Sequence, residues 1–262
     1  MEILRSPREI AEMRKAGLLV WQVHQKMAEL IRPGVTTGEI EKVAADFFAS
    51  HNAQPLFKGV PGRVPFPAVT CISVNEEVVH GIPGPRKLVE GDVVSVDTGC
   101  KVNGWCGDAA ATYPVGRISP ELRRLLDVTR NVLSLAIALL DRRSRWSQVA
   151  AEMEAYVKKH KYSVVEAFVG HGIGREMHED PQVPNFANRQ LRRGKGDFRL
   201  STGLVIAIEP MVNMGVKSVR TLPDYWTQVT TDGLPSAHFE HTVAITENGP
   251  LVLTAGPNGE TW

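Results

Sequence analysis

Asp97 and Asp108 are the first residues whose types and spacing suggest chemistry. They lie in the stretch from Gly91 to Ala111, GDVVSVDTGCKVNGWCGDAAA. Val93, Val94 and Val96 make a β-branched apolar run, and Asn103-Gly104 is a strong short-range hairpin signal. With Asn103 and Gly104 as the turn, Val102 faces Trp105, Cys100 faces Gly107, and Gly99 faces Asp108. Asp97 lies two residues before Gly99, so the period of two puts it on the same face as Asp108. As diagonal neighbours the two have Cα atoms about 7–8 Å apart. Carboxylates that converge inside an apolar sheet repel each other and lose hydration, a cost that a cation between them removes. The spacing therefore suggests a metal. The alternative is that one or both acids are turn or edge residues in water, because Asp is depleted in strand interiors.

Such a hairpin must be held by other elements. Ser6-Pro7-Arg8-Glu9 has the form of a capping box with proline at the first helical position, opening a helix to about Ile31. Ile10, Met13, Gly17 and Val20 recur along it at helical spacing, and Pro33-Gly34 stops it. Thr36 and Glu39 form a second capping box, opening a helix through Phe48. Residues 69 to 74 predict a strand, and the acid hairpin follows. Ser119-Pro120-Glu121 repeats the first cap signature and opens a third helix to about Leu140. Ser147 to His160 predicts the fourth, and Val164 to Val169 a further strand.

The second half thus begins as the first did. His171-Gly172-Ile173 matches His80-Gly81-Ile82. The run from Gly203 to Glu209 matches that from Gly91 to Asp97 in its glycine, its apolar alternation and its terminal acid. His238-Phe239-Glu240-His241-Thr242 takes the place of Cys106-Gly107-Asp108-Ala109-Ala110. Four matches in one order point to a duplicated chain, with repeats over about 6–116 and 117–250 in one domain spanning 1–262. Two insertions set the halves apart, between Gly174 and Leu200 and between Pro210 and Ala237. Both are rich in Gly, Pro, Asn and charge and are expected as surface loops. The basic run Arg192-Arg193-Gly194-Lys195 in the first of them reads as a solvated face.

The chain of 262 residues is 43% hydrophobic, enough for a substantial core. Its formal net charge of +1 gives no electrostatic case for nucleic acid or an anionic membrane as main partner. The N-terminus is charged from its second residue and carries no apolar signal-peptide core. The longest apolar run, Val132 to Leu140, is too short to span a bilayer and predicts a buried helix. Three cysteines without a CxxC pair argue for a reducing compartment and against a disulfide framework or a structural zinc site. A cytoplasmic protein is expected.

With the halves related by a pseudo-twofold axis, Asp97, Asp108, Glu209 and Glu240 aim at one central space, joined by His171. Carboxylates and an imidazole without thiolate suit Mn, Fe, Co or Zn. Four negative charges exceed what one divalent ion neutralises, so two divalent metal ions bridged by carboxylates are expected. The alternatives for the histidine motifs are weaker. The glycines of Gly170-His171-Gly172-Ile173-Gly174 have the wrong spacing for a dinucleotide fingerprint and no Lys-Ser/Thr follows. His178-Glu179 begins like a zincin motif, but Gln182 stands where the second His belongs.

Over essentially its whole length the chain resembles the type I methionine aminopeptidases, metallopeptidases of the α+β pita-bread fold. In that fold two helix-helix-strand halves surround a mainly antiparallel curved sheet. The resemblance rests on Val79-His80-Gly81-Ile82-Pro83, Asp97-Thr98-Gly99, Gly107-Asp108-Ala109-Ala110, Gly170-His171-Gly172-Ile173-Gly174, Ile208-Glu209-Pro210-Met211 and Glu240-His241-Thr242. It implies that Asp97 chelates one metal, that His171 and Glu209 chelate the other, and that Asp108 and Glu240 bridge them. It further implies that His80 contacts the substrate near its amino end and that His178 hydrogen-bonds the scissile carbonyl oxygen. Glu209 then passes the proton to the leaving amine. The implied reaction is hydrolysis of the first peptide bond of a chain that begins with methionine.

The same resemblance implies a methionine pocket lined by Phe66, Cys71, Met177 and Trp226, since polarizable and aromatic walls suit a thioether. The segment from Gly59 to Pro67, GVPGRVPFP, departs from the family pattern in carrying one aromatic where two are common, and Met177 replaces a common aromatic. Expected partners are peptides and new proteins with an N-terminal Met, with the ribosome a candidate docking partner and a monomer the expected state. The rival within the fold is an Xaa-Pro aminopeptidase or prolidase; those relatives usually carry a large N-terminal domain, whereas here the first helix starts at about Ser6. A rival of another class is a non-catalytic pita-bread binding protein, which would be expected to have lost ligands.

Overall fold

The structure is a computed structural model that describes residues 3–187 and 189–262; of Arg189 and Arg192 it describes the backbone but not the side chain. The first two residues of the charged N-terminus and the Arg192 side chain of the basic run lie outside the described residues. Arg193 and Lys195, the remaining charges of that run, are exposed.

The elements follow in the order α1 (Pro7–Leu30), α2 (Thr37–Ser50), β1 (Gln54–Pro55), β2 (Thr70–Val74), β3 (Glu77–Val79), β4 (Val93–Val102), β5 (Trp105–Pro114), α3 (Pro120–Leu139) and α4 (Trp146–Lys159). The second half continues with β6 (Ser163–Val164), β7 (Gly170–Gly172), β8 (Glu179–Val183), α5 (Arg189–Arg192), β9 (Val205–Ile208) and β10 (Met211–Asn213). It ends with β11 (Val219–Thr221), β12 (Gln228–Thr230), β13 (Ser236–His238), β14 (His241–Thr246) and β15 (Gly249–Val252).

Local chemistry accounts for the helix starts. Ser6 accepts from the Glu9 backbone N–H at 3.4 Å while the Glu9 carboxylate accepts from the Ser6 N–H at 2.8 Å. Thr36 and Glu39 repeat this reciprocal cap on α2, at 3.2 and 2.7 Å. Ser119 caps α3 by accepting from the Leu122 N–H. The two helix pairs cover separate strands. Val20, Met27, Ile40 and Phe48 of α1 and α2 pack with Val94 and Val96 of β4. Leu126, Leu133, Trp146 and Met153 of α3 and α4 pack with Ile206 of β9 and Val243 of β14.

Among the described residues all the strand pairs are antiparallel and fall into four sheets, ordered β1-β4-β2 with β5 on β4, β13-β10-β6, β11-β12-β3 and β15-β14-β9-β7-β8. The β4–β5 hairpin has the expected register, with Val102 opposite Trp105 and Gly99 opposite Asp108. Where the halves meet, backbone and hydroxyl groups stitch them together. The Glu240 N–H donates to Ala110 O at 2.8 Å. The Thr242 hydroxyl accepts from the Asp108 N–H and donates to the Asp108 carbonyl.

Two expectations are corrected. Residues 164 to 169 are not one strand: β6 ends at Val164 and pairs with β10, and strand resumes only at Gly170, in a different sheet. An apolar run bounded by polar residues does not reveal where a chain changes sheets. The two insertions are more than surface loops. The first supplies β8 and α5 and buries Val183, Phe186 and Phe198; the second supplies β10, β11 and β12. Their Gly and Pro mark the turns between short strands.

Candidate metal centre

Strand register brings the acids together. Asp97 on β4 lies opposite Cys71 of β2 on one side and Ala110 of β5 on the other. Asp108, two residues along β5, is its diagonal neighbour. Glu209 follows the last residue of β9, which pairs with His241 of β14; Glu240 precedes that strand. His171 of β7 lies opposite Ala207. Together these place one ligand atom each of Asp108, His171 and Glu240 within 4.8 Å of one another, with the His171 Nε2 3.6 Å from the Glu209 Oε1.

The electrostatics of this cluster are those of a cation site. Asp97 Oδ1, Asp108 Oδ1 and Glu240 Oε1 are buried with no hydrogen-bond partner. Among the described residues no Lys or Arg forms an ion pair with any of the four acids. Burial, followed by repulsion from the neighbouring acids, pushes Asp97, Glu209 and Glu240 well above the usual carboxylate range. Burial pushes Asp108 up to about 7. Uncompensated buried carboxylates are costly, and a divalent cation supplies the missing charge and occupies the unpartnered lone pairs. The His171 Nδ1–H donates to the Gly172 carbonyl at 2.9 Å, which leaves the Nε2 lone pair directed at the acids. Burial, then His178, lowers the His171 pKa to about 4, so the ring is neutral, as a ligand must be. The residues fit a divalent metal.

Two cavities meet at these acids. The first, of about 190 Å³, is walled by Phe57, Val60, Phe66, Cys71, Met177 and Trp226 and reaches all five candidate ligands, His80 and His178. Phe66 stands edge-on to Trp226 at 5.2 Å between centroids, and the Trp226 indole N–H donates to Val64 O at 2.7 Å. The second, of about 470 Å³, shares Asp97, His171, Glu209, His80 and His178 and extends past Phe168, Gln182, Met211 and His238. His80 is half-buried, its pKa is lowered to about 4 by desolvation and then by His178, and it packs edge-on against Phe168 at 5.2 Å. The His178 ring meets that of His171 edge-on at 4.4 Å, and burial lowers its pKa too.

Every residue predicted for the site therefore lines one or both cavities. Sequence reasoning missed Phe57 and Val60 in the first and Phe168, Gln182 and His238 in the second. His238 was within reach, because it precedes Glu240 by two residues and shares its extended segment. Phe57 and Val60 sit in an irregular segment with no period to read.

A pita-bread framework around buried acids and a neutral histidine defines a metallohydrolase. The chain belongs to metallopeptidase family M24, which matches over residues 11–247. It is 46% identical over 254 residues to methionine aminopeptidase 1 of Bacillus subtilis, covering 97% of this chain and 99% of that one. To the methionine aminopeptidase of Clostridium perfringens it is 48% identical with the same coverage. The crystal structure of methionine aminopeptidase from Thermotoga maritima superposes with a TM-score of 0.89 at 42% identity, covering 97% of this chain and 99% of that chain. A prolidase from Pyrococcus furiosus shares the fold at a TM-score of 0.73 and 21% identity, with 65% of its length covered. Among the described residues no helix is long and apolar enough to cross a membrane.

Proposed function

We propose that this chain removes the N-terminal methionine from peptides and newly made proteins. The observation that carries the reading is the junction of the candidate metal centre with a small cavity of sulfur and aromatic walls. A thioether side chain gains dispersion from such walls and asks for no hydrogen bond. In this reading the side chain of the first residue enters the first cavity and the rest of the peptide leaves through the second. The near-complete coverage of aminopeptidases of that specificity supports it.

Asp97, Asp108, His171, Glu209 and Glu240 would hold two divalent ions from the set Mn, Fe, Co or Zn. When bound, these supply Lewis-acid polarisation and a nucleophile at neutral pH. The protein's own groups do the rest. His80 orients the amino end of the substrate. His178, neutral at pH 7 and carrying one N–H, donates to the scissile carbonyl oxygen as negative charge builds on it. Glu209 accepts the proton of the attacking water and returns it to the leaving amine. On the same reading the chain is one catalytic domain of two pseudo-repeats, 6–116 and 117–250, a monomer acting in the cytoplasm on chains near the ribosome. The repeated helix-helix-strand order supports the repeats, and three buried free thiols support a reducing compartment.

A peptide panel tests the function. Met-Ala-Ser, Leu-Ala-Ser and an Xaa-Pro dipeptide are incubated with the protein and Mn, Fe, Co or Zn in turn. Release of Met alone is expected. Comparable rates on Xaa-Pro would move the assignment to prolidase chemistry, and no release with any metal would favour a binding protein.

A further inference from the structure

Met177 and His178 reach the site from a short loop between β7 and β8, and the loop is fastened from outside. The Glu179 carboxylate closes it: one oxygen accepts the Arg175 N–H at 2.8 Å and the Glu176 N–H at 3.2 Å. The other oxygen pairs with the guanidinium of Arg5, and both side chains are largely buried, 8% and 13% exposed. Arg5 belongs to the segment that precedes α1. Its backbone N–H donates to Gly203 O at 2.7 Å, so both ends of the residue are anchored. Its guanidinium lies 5.2 Å from the Trp105 ring centre, and that of Arg175 lies 3.7 Å from the same ring. A Cβ on Gly174 would fall 2.2 Å from Arg5 Nη2, so the glycine at the loop entrance is what admits the arginine.

The His178 ring, by contrast, makes no hydrogen bond to the protein among the described residues; its recorded ring contact is the edge-on one with His171. Its place is set by its own backbone and hence by the fastening of the loop. We propose that Arg5 is a positioning residue for His178: through Glu179 it holds the loop at the depth where the imidazole reaches the scissile carbonyl. The proposal rests on the role given to His178 above. Without Arg5, Glu179 is a buried carboxylate with no cation, and the loop shifts to return it to water. Catalytic geometry is sensitive to displacements of about 1 Å, so the loss falls on the chemical step.

A double-mutant cycle on Met-Ala-Ser hydrolysis at fixed metal concentration, using Arg5→Ala, His178→Ala and the pair, tests this. Arg5→Ala is expected to lower kcat by about 10- to 100-fold with KM within about threefold. In the His178→Ala background the same change should cost less than about twofold, because the group it positions is gone. Arg5→Lys, which keeps the charge, should restore most of kcat, and it carries the test with Glu179→Gln if Arg5→Ala does not fold. Losses that multiply independently, or Arg5→Ala and Glu179→Gln with wild-type kcat beside a slow His178→Ala, would overturn the proposal while sparing the role of His178. Wild-type kcat in His178→Ala would remove that role and the proposal with it.

Discussion

Four acids and one imidazole share one space at the meeting of the two cavities, and burial is the first cause of the shift in each one's protonation. Asp108 is the most informative of them, since it is fully buried and has an unpartnered oxygen. Asp108→Asn removes a charge and a ligand while keeping shape. We expect hydrolysis of Met-Ala-Ser to fall at least about a hundredfold, with the metal-stripped variant no less stable to heat than the parent, because a buried repulsion has gone. Adding Mn²⁺ at 100 times its dissociation constant should stabilise the parent by about 2.7 kcal/mol and the variant by much less. Equal metal stabilisation of both proteins would remove Asp108 from the ligand set.

At the scale of elements, α1 and β5 approach each other closely because glycines stand on both sides. A Cβ on Gly107 would lie 2.7 Å from the Gly17 backbone N, and one on Gly17 would lie 2.1 Å from Leu253 O. In an isolated helix Gly17→Ala would gain about 1 kcal/mol of propensity. Here the new methyl meets a backbone carbonyl of the chain's last segment, which cannot swing away, and overpacking of this kind costs about 1–3 kcal/mol or more. The clash should win. Urea denaturation should show Gly17→Ala less stable than the parent; a more stable variant would mean that this packing is loose. The second insertion makes a related point, because β12 reaches across to pair with β3 and brings Trp226 over the first cavity.

At the scale of the whole molecule, buried neutral histidines couple stability to pH. His24 of α1 donates from Nε2 to Ala109 O at 3.0 Å and accepts at Nδ1 from the Tyr113 hydroxyl at 2.9 Å, with Trp262 packed on its ring. Burial lowers its pKa to about 4, against 6.5 for a free imidazole. The unfolded chain therefore takes up a proton first as pH falls. The contribution of His24 is complete above about pH 6.5, shrinks below it and is lost by about pH 4. A displacement of roughly 2.5 on the pKa scale corresponds to about 3 kcal/mol. Comparing the parent with His24→Gln by chemical denaturation isolates this part from the oppositely signed carboxylates of the metal-stripped site. The stability difference between them should shrink from pH 7 to pH 4, and a constant difference would show that His24 is protonated in the fold.

The sequence alone determined what depends on neighbours along the chain. Capping boxes at Ser6 and Thr36, the turn at Asn103-Gly104 and the period of two fixed the helix starts, the hairpin register and the shared face of Asp97 and Asp108. The repeat of these signals in the second half brought in His171, Glu209 and Glu240. Only the tertiary structure decided what depends on contacts between distant segments. It ended one strand at Val164 and resumed strand at Gly170 in another sheet, built the insertions into strands and set Phe57 and Val60 beside Trp226. It also fastened the His178 loop to Arg5 through Glu179, 174 residues further along the chain. Local preferences act over one turn or one strand pair, whereas the walls of a cavity are chosen by which surfaces exclude water from one another, and no short-range pattern records that choice.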